Sequence, residues 1–152
     1  MTDRRYRVEV MHGVNLDQLG RRDPLVYGSL TLAELERQIE TDAEREGLQV
    51  RFFQSNHEGA FVEHLHGLAG EADAILLNPG AWTHYSWAIR DALEIADLPA
   101  LEVHLSDVRS REPWRAVSVL EGLCLATVSG RGPGGYGEAL VLLREELERG
   151  GR

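Results

Sequence analysis

The 152-residue chain has the length and composition of a single soluble globular domain, with 43% hydrophobic and 27% charged residues. Its formal net charge of -9 argues against a nucleic-acid-binding surface, which would need a basic stripe. All 16 cationic side chains are arginine, so the sequence has no lysine amine for a Schiff base or for a phosphate-binding P-loop.

Five predicted strands alternate with helices along the chain. The apolar runs and turn residues predict strands at 7–11, 48–53, 74–77, 100–105 and 123–128, and helices at 32–46, 60–69, 83–96, 114–120 and 138–149. Such alternation, without a repeat or a linker, is typical of doubly wound α/β folds. We therefore predict one domain over residues 1–152, a flavodoxin-like three-layer sandwich whose five-stranded parallel sheet has the order 2-1-3-4-5.

The loop after the first strand, residues 13–28, contains many apolar side chains. Loops of about fifteen residues inside a compact domain are usually functional or disordered. Leu16, Leu19 and Leu25 make this loop too apolar for a linker. We expect an ordered loop or a lid that closes over a ligand.

Tyr27 ends this loop shortly after Arg22. A tyrosine with the reference pKa of about 10 is a poor base near neutrality, but a neighbouring guanidinium favours the phenolate. A tyrosine in this position is otherwise more often an amphipathic packing residue.

Polar groups follow the third strand. Asn78 breaks the strand with the Pro-Gly that follows it, and Thr83 is expected to cap a helix that runs to residue 96. On that helix His84 and Asp91 would lie within about 20° of one face. Open α/β sheets bind ligands at this edge. From this stretch alone, a ligand site and a simple helix cap with a solvated histidine are equally good interpretations.

The fourth strand places Glu102 and His104 two residues apart, so both side chains leave the same face. A carboxylate beside a histidine can fix its tautomer and keep it charged, which suits a general acid. The alternative is a hydrogen-bonded edge histidine without a chemical role. Ser106 and Arg115 follow closely and favour the acid.

The sequence gives little support for a metal site, a disulfide bond or a membrane-spanning segment. Cys124, the single cysteine, lies in an apolar run and is expected to be a small buried hydrophobe. His64 and His66 would lie on different faces of a predicted helix, which does not suit a metal site. Residues 1–7 do not begin a signal peptide, and no apolar run approaches 18 residues. We expect a cytoplasmic protein without a membrane partner.

Together these segments resemble the type II 3-dehydroquinate dehydratases. The matching motifs cover most of the chain in the family's order and comprise residues 13–28, 54–59, 78–91 and 102–106, extended by 111–115 and 135–136. The departures from the usual pattern are Val14, Asp17, Gln18, Tyr85, Trp87 and the Gly137-Glu138 pair, which concern loop rigidity and packing more than proton transfer. Asp17 would add a negative charge near an anionic substrate.

The resemblance implies loss of water from 3-dehydroquinate to give 3-dehydroshikimate through an enolate, without a Schiff base, metal or other cofactor, in the shikimate pathway or in quinate breakdown. Tyr27 would be the base, with Arg22 promoting its phenolate. His104 would protonate the departing hydroxyl, oriented by Glu102, and Asn15 would stabilise the enolate. The positions that match the family's substrate-binding residues are Asn78, His84, Asp91, Leu105, Ser106 and Arg115. The family's usual assembly, a homododecamer built from trimers, is also implied.

Two other classes stay open at this point. One is a flavodoxin-like binding or receiver module, although a phosphoacceptor receiver would need an acidic cluster near the first strand and a distal lysine. The other is a family member that has lost catalysis and serves in an assembly, against which the presence of Tyr27, Arg22 and His104 argues.

Overall fold

The computed structural model describes residues 5–150 and has a five-stranded parallel sheet at its centre. The strands are β1 (Arg7–His12), β2 (Gln49–Gln54), β3 (Ala74–Asn78), β4 (Ala100–His104) and β5 (Thr127–Ser129). Their order is β2-β1-β3-β4-β5, so the predicted α/β fold and strand order are confirmed. Residues 1–4, part of the segment considered for a signal peptide, lie outside the described residues.

Helices cover both faces of the sheet. They are α1 (Pro24–Tyr27), α2 (Leu32–Arg45), α3 (Glu58–His66), α4 (Trp87–Ala96) and α5 (Gly134–Gly150), and short 3-10 turns occur at Leu16–Gln18, Gly80–His84, Val108–Ser110 and Pro113–Ala116. Alternate residues of β1 serve the two faces, because side chains of a strand alternate in direction. Val10 packs in a core with α2 and α5, and Met11 packs in a second core with α3 and α4.

The predicted helix at 83–96 is wrong at its beginning. Residues Gly80–His84 form a 3-10 turn, and α4 begins only at Trp87. Ser86 caps it by accepting a hydrogen bond from the Ile89 N–H at 3.1 Å. Thr83 does not cap, because its hydroxyl donates to Glu102 at 2.7 Å. His84 and Asp91 therefore do not share a helix.

The segment before α5 also differs from prediction. The helix expected at 114–120 is reduced to the 3-10 turn Pro113–Ala116, and Val117 is extended. The last strand is only Thr127–Ser129, since residues 120–124 turn back on Leu120 through hydrogen bonds to its carbonyl. The last helix begins four residues earlier than predicted, at Gly134. Cys124 is half-buried rather than buried, and burial raises the pKa of its thiol to about 12.

Two glycines allow the turns after β1 and β3 to touch. A Cβ on Gly13 would lie 2.2 Å from the Pro79 carbonyl oxygen. Gly80 has a φ of +67°, and its Cβ would lie 2.6 Å from the Val14 carbonyl oxygen. A side chain at either position would push apart the two turns that bring Asn15 and Asn78 to one edge of the sheet.

His12 predicts a specific acid sensitivity of folding. Its ring is fully buried at the end of β1, and burial lowers its pKa to about 4. The native state keeps His12 neutral down to about pH 4, whereas the unfolded chain binds a proton below about pH 6.5. The contribution of His12 to the free energy of unfolding is therefore fully present above pH 6.5 and is lost as the pH falls toward 4.

When the pH falls from 7 to 4.5, His12 should lower the free energy of unfolding by about 2 kcal/mol. Urea unfolding at the two pH values measures the loss, and His12→Gln, which does not titrate, is the control. The parent should lose about 2 kcal/mol more than the variant. Equal losses would show that His12 is not the responsible group.

Candidate active site

A cavity of about 100 Å³ opens at the carboxyl edge of the sheet, between the segments that follow β1, β3 and β4. Every predicted site residue except Glu102 and Asp91 lines it: Asn15, Arg22, Tyr27, Asn78, His84, His104, Leu105, Ser106 and Arg115. Glu102 lies behind His104 and lines an adjacent cavity of about 60 Å³. The edge is the one predicted from the strand order.

His104 and Glu102 form a buried pair on the same face of β4, as predicted. His104 Nε2 lies 2.5 Å from Glu102 Oε2. Burial alone would raise the pKa of Glu102, but the hydrogen bond and charge of His104, with hydrogen bonds from Thr83 and Ser118, hold it below its usual value. The ionised carboxylate thus binds Nε2–H and leaves Nδ1 of His104 for a ligand. When the ring is charged, Nδ1–H is a proton donor.

His84 has a defined tautomer. Its Nδ1 lies 2.6 Å from the Val117 carbonyl oxygen, which can only accept, so Nδ1 carries the proton. Burial, with the nearby charges of His104 and Arg115, lowers the pKa of His84 despite the opposing effect of that hydrogen bond. The neutral ring therefore has an acceptor at Nε2, which suits a hydroxyl group of a ligand.

Two guanidinium groups face the ring of Tyr27. Arg22 Cζ lies 3.9 Å from the ring centroid, as expected from the sequence, and Arg111 Cζ lies 5.1 Å from it. Arg111 also donates to Ser106 Oγ at 3.3 Å. Arg111 was missed as a site residue. It belongs to the 111–115 motif, but only the tertiary structure brings it against a residue more than eighty positions earlier.

Arg115 is a suitable anchor for an anion. Its Nε lies 2.5 Å from Glu112 Oε2, and its Cζ lies 4.1 Å from the centroid of the Trp114 ring. Among the described residues, this ion pair uses Nε and leaves both Nη groups for a carboxylate. With Arg22 and Arg111, it makes the cavity wall locally cationic in an acidic chain.

A left-handed backbone conformation places Asn15 beside Asn56. Asn15 has a φ of +68°, and its N–H donates to Asn56 Oδ1 at 2.8 Å. Asn56 also donates to Asp17 at 3.2 Å, and Asp17 lies outside the cavity wall. The negative charge anticipated at Asp17 is therefore held against Asn56 and does not line the cavity.

Asp91 is the predicted site residue that the single chain does not bring to the cavity. It is exposed in the second turn of α4. The cavity wall contains His84 of the preceding 3-10 turn but no residue of α4. His84 and Asp91 thus do not share a helix face, because the helix begins after His84 and not before it.

Known proteins match both the sequence and the fold. The family model described as Dehydroquinase class II matches residues 6–144. The chain belongs to the class II dehydroquinase family. This confirms the resemblance drawn from the motifs.

Individual relatives of this class II dehydroquinase cover nearly the whole chain. A 3-dehydroquinate dehydratase from Thermotoga neapolitana is 48% identical over 136 residues, which are 90% of this chain and 92% of the relative. A catabolic 3-dehydroquinase from Verticillium alfalfae is 46% identical over 93% of this chain and 95% of the relative. The crystal structure of a type II dehydroquinase from Propionibacterium acnes superposes with a TM-score of 0.88 at 35% identity, covering 92% of this chain and 97% of that one.

Residues 5–150 contain neither a metal-binding cluster nor a membrane-spanning helix. No group of three His, Cys, Asp or Glu side chains in this part of the chain is arranged to hold a metal ion. None of its helices combines the length and apolar character needed to cross a membrane.

The hydrogen bond from Thr83 to Glu102 predicts a measurable effect on stability. Thr83→Val keeps the shape but leaves the buried carboxylate with one donor fewer, which should cost about 1.5–3 kcal/mol. Urea unfolding measures this change. Thr41→Val is the matched control, because Thr41 is exposed and donates only to the Arg37 carbonyl oxygen. The control should change stability by less than about 0.5 kcal/mol, and an equal effect at both positions would contradict the assignment.

Proposed function

We propose that this chain dehydrates 3-dehydroquinate to 3-dehydroshikimate through an enolate intermediate. The observation that carries the proposal is that Tyr27, faced by two arginines, and the Glu102–His104 pair line or adjoin one cavity. A base and an acid in the walls of one cavity are what the removal of a proton and a hydroxyl requires. Membership of the class II dehydroquinase family supports the same reaction.

Tyr27 acts as the base in this proposal. Arg22 and Arg111, whose positive charges face the ring, are assigned to support this step. The phenolate removes a proton from the carbon next to the ketone. The electrons of the broken C–H bond form an enolate, and Asn15 at the cavity wall stabilises the oxygen that becomes negative.

His104 acts as the acid that releases the hydroxyl. Its Nδ1–H donates a proton to the departing oxygen as the enolate returns electrons to form the new double bond. Glu102 fixes the orientation of the ring, because the carboxylate lies 2.5 Å from Nε2. The products are the enone and water.

The remaining polar groups bind the substrate. Arg115 can bind the substrate carboxylate through both Nη groups, whose planar geometry matches two oxygens. His84 accepts a hydroxyl hydrogen at Nε2. Asn78 and Ser106 are further polar contacts, and Leu105 provides an apolar wall.

No cofactor takes part in this proposal. The sequence has 16 arginines and no lysine, so the ketone cannot be activated as an imine on a side chain of this chain. The reaction serves the shikimate pathway or quinate breakdown in the cytoplasm.

Turnover with variants tests the mechanism. The parent should convert 3-dehydroquinate to product, followed by the rise of enone absorbance. Tyr27→Phe should lower kcat by at least about 10²-fold with little change in KM, because it removes proton abstraction and leaves most binding contacts.

Exchange of the α-proton with deuterated buffer, followed by NMR, separates the base from the acid. Tyr27→Phe should abolish this exchange, whereas His104→Ala should retain it while slowing loss of the hydroxyl. The opposite pattern would reverse the two roles. Absence of turnover by the parent would instead indicate a family member without this catalysis.

Asp91 is assigned to substrate binding between assembled copies of the chain. It lies outside its own cavity, so it can contribute to substrate binding only in the cavity of another copy. We infer that the chain forms the homododecamer built from trimers that its family resemblance implies, with Asp91 supplied between copies.

Mixed assemblies test this arrangement. Asp91→Asn and Tyr27→Phe should each lower activity. After unfolding and refolding together, the two variants should regain part of the activity, because some sites then combine an intact Tyr27 with an intact Asp91 from a neighbour. No regain after mixing, with assembly confirmed by light scattering, would place Asp91 within its own site or outside the mechanism.

A further inference from the structure

A buried chain of three polar side chains lies directly behind the cavity. His12 ends β1, Asn78 ends the neighbouring β3 in register with it, and Tyr136 comes from the first turn of α5. His12 Nε2 lies 2.9 Å from Tyr136 Oη, and Asn78 Nδ2 lies 3.2 Å from the same oxygen. His12 and Tyr136 are fully buried, and only Asn78 lines the cavity.

The backbone amide of Gly80 sets the direction of these hydrogen bonds. Its N–H donates to Asn78 Oδ1 at 3.1 Å, so the amide oxygen faces Gly80 and Nδ2 faces Tyr136. Tyr136 Oη therefore accepts from Asn78. Its own proton must go to His12 Nε2, since a protonated Nε2 would leave the tyrosine hydrogen without an acceptor.

Both titratable groups have the protonation state that this direction requires. Burial lowers the pKa of His12 to about 4, so the ring is neutral near pH 7 and its proton lies on Nδ1. Burial raises the pKa of Tyr136, against the opposing effect of the Asn78 hydrogen bond, so the phenol keeps its proton.

The arrangement leaves one group unsatisfied. Among the described residues, His12 Nδ1 is buried without a hydrogen-bond partner. A buried polar group of this kind costs stability and calls for an explanation. An apolar side chain at position 12 would avoid the cost but would leave the Tyr136 hydroxyl without an acceptor.

We propose that Tyr136 and His12 are positioning residues, which hold the Asn78 amide so that its second Nδ2 hydrogen is presented to an oxygen of the bound substrate. The inference rests on the proposed contact between Asn78 and the substrate. Each amide nitrogen carries two hydrogens, and Tyr136 accepts one of them. Loss of the Tyr136 hydroxyl lets the amide rotate away from the orientation that binds substrate.

A double-mutant cycle tests this coupling. Tyr136→Phe should raise KM for 3-dehydroquinate by roughly 3- to 10-fold, the effect of one hydrogen bond, with kcat changed much less. Asn78→Ala should raise KM by at least as much. In the Asn78→Ala background, Tyr136→Phe should have no further effect, because the group that it positions is gone.

Two further variants separate positioning from general damage to the core. Leu143→Val, at a fully buried position of α5 without polar contacts, should lower the unfolding midpoint but leave KM unchanged. His12→Ala should raise KM as Tyr136→Phe does, whereas His12→Gln, which keeps an acceptor for the tyrosine proton, should restore most of the binding.

The outcomes distinguish the positioning role of Tyr136 and His12 from the substrate contact of Asn78. An unchanged KM in Tyr136→Phe, or an equal rise in both backgrounds, overturns the positioning role while leaving Asn78 as a substrate contact. An unchanged KM in Asn78→Ala removes that contact itself and the positioning role with it.

Discussion

The buried carboxylate of Glu102 is the constraint on which the carboxyl edge of the sheet depends. It is 1% exposed, and a buried charge is costly unless it is paired and hydrogen-bonded. Its donors are His104 on the same strand, Thr83 in the segment after β3, Ser118 in the segment before β5 and, at 3.5 Å, Thr127 on β5. One carboxylate thus ties together four parts of the chain behind the cavity.

Two buried hydrogen-bond networks at this edge affect both the stability of the fold and the orientation of the cavity residues. The first orients His104 through Glu102, and the second connects His12 and Tyr136 to Asn78. Within the described part of the chain, the second leaves a ring nitrogen of His12 without a partner, which a core selected for stability alone would avoid. Such local costs concentrate at functional sites, because substrate contacts must be held in one orientation before the substrate arrives.

The charge of the cavity shows why the net charge of a chain says little about the local charge of one site. The chain carries a formal net charge of -9, yet Arg22, Arg111 and Arg115 line one cavity of about 100 Å³. An interaction between charges depends on their separation and surroundings, so three nearby guanidiniums outweigh acidic groups on the distant surface. A net charge of this sign argues against a broad nucleic-acid surface, and it leaves room for a small anionic ligand at one site.

Local sequence patterns were sufficient for the strand order, the family and the edge where the site lies, because apolar runs, turn residues and contiguous motifs are local properties. They also paired Glu102 with His104, since two residues on one strand share a face. Only the tertiary structure decided that Thr83 binds Glu102 instead of capping a helix, that Arg111 faces Tyr27, and that Asp91 lies outside its own cavity. These outcomes depend on contacts between residues far apart in the chain, and a buried charge outweighs local helix preference when the two compete.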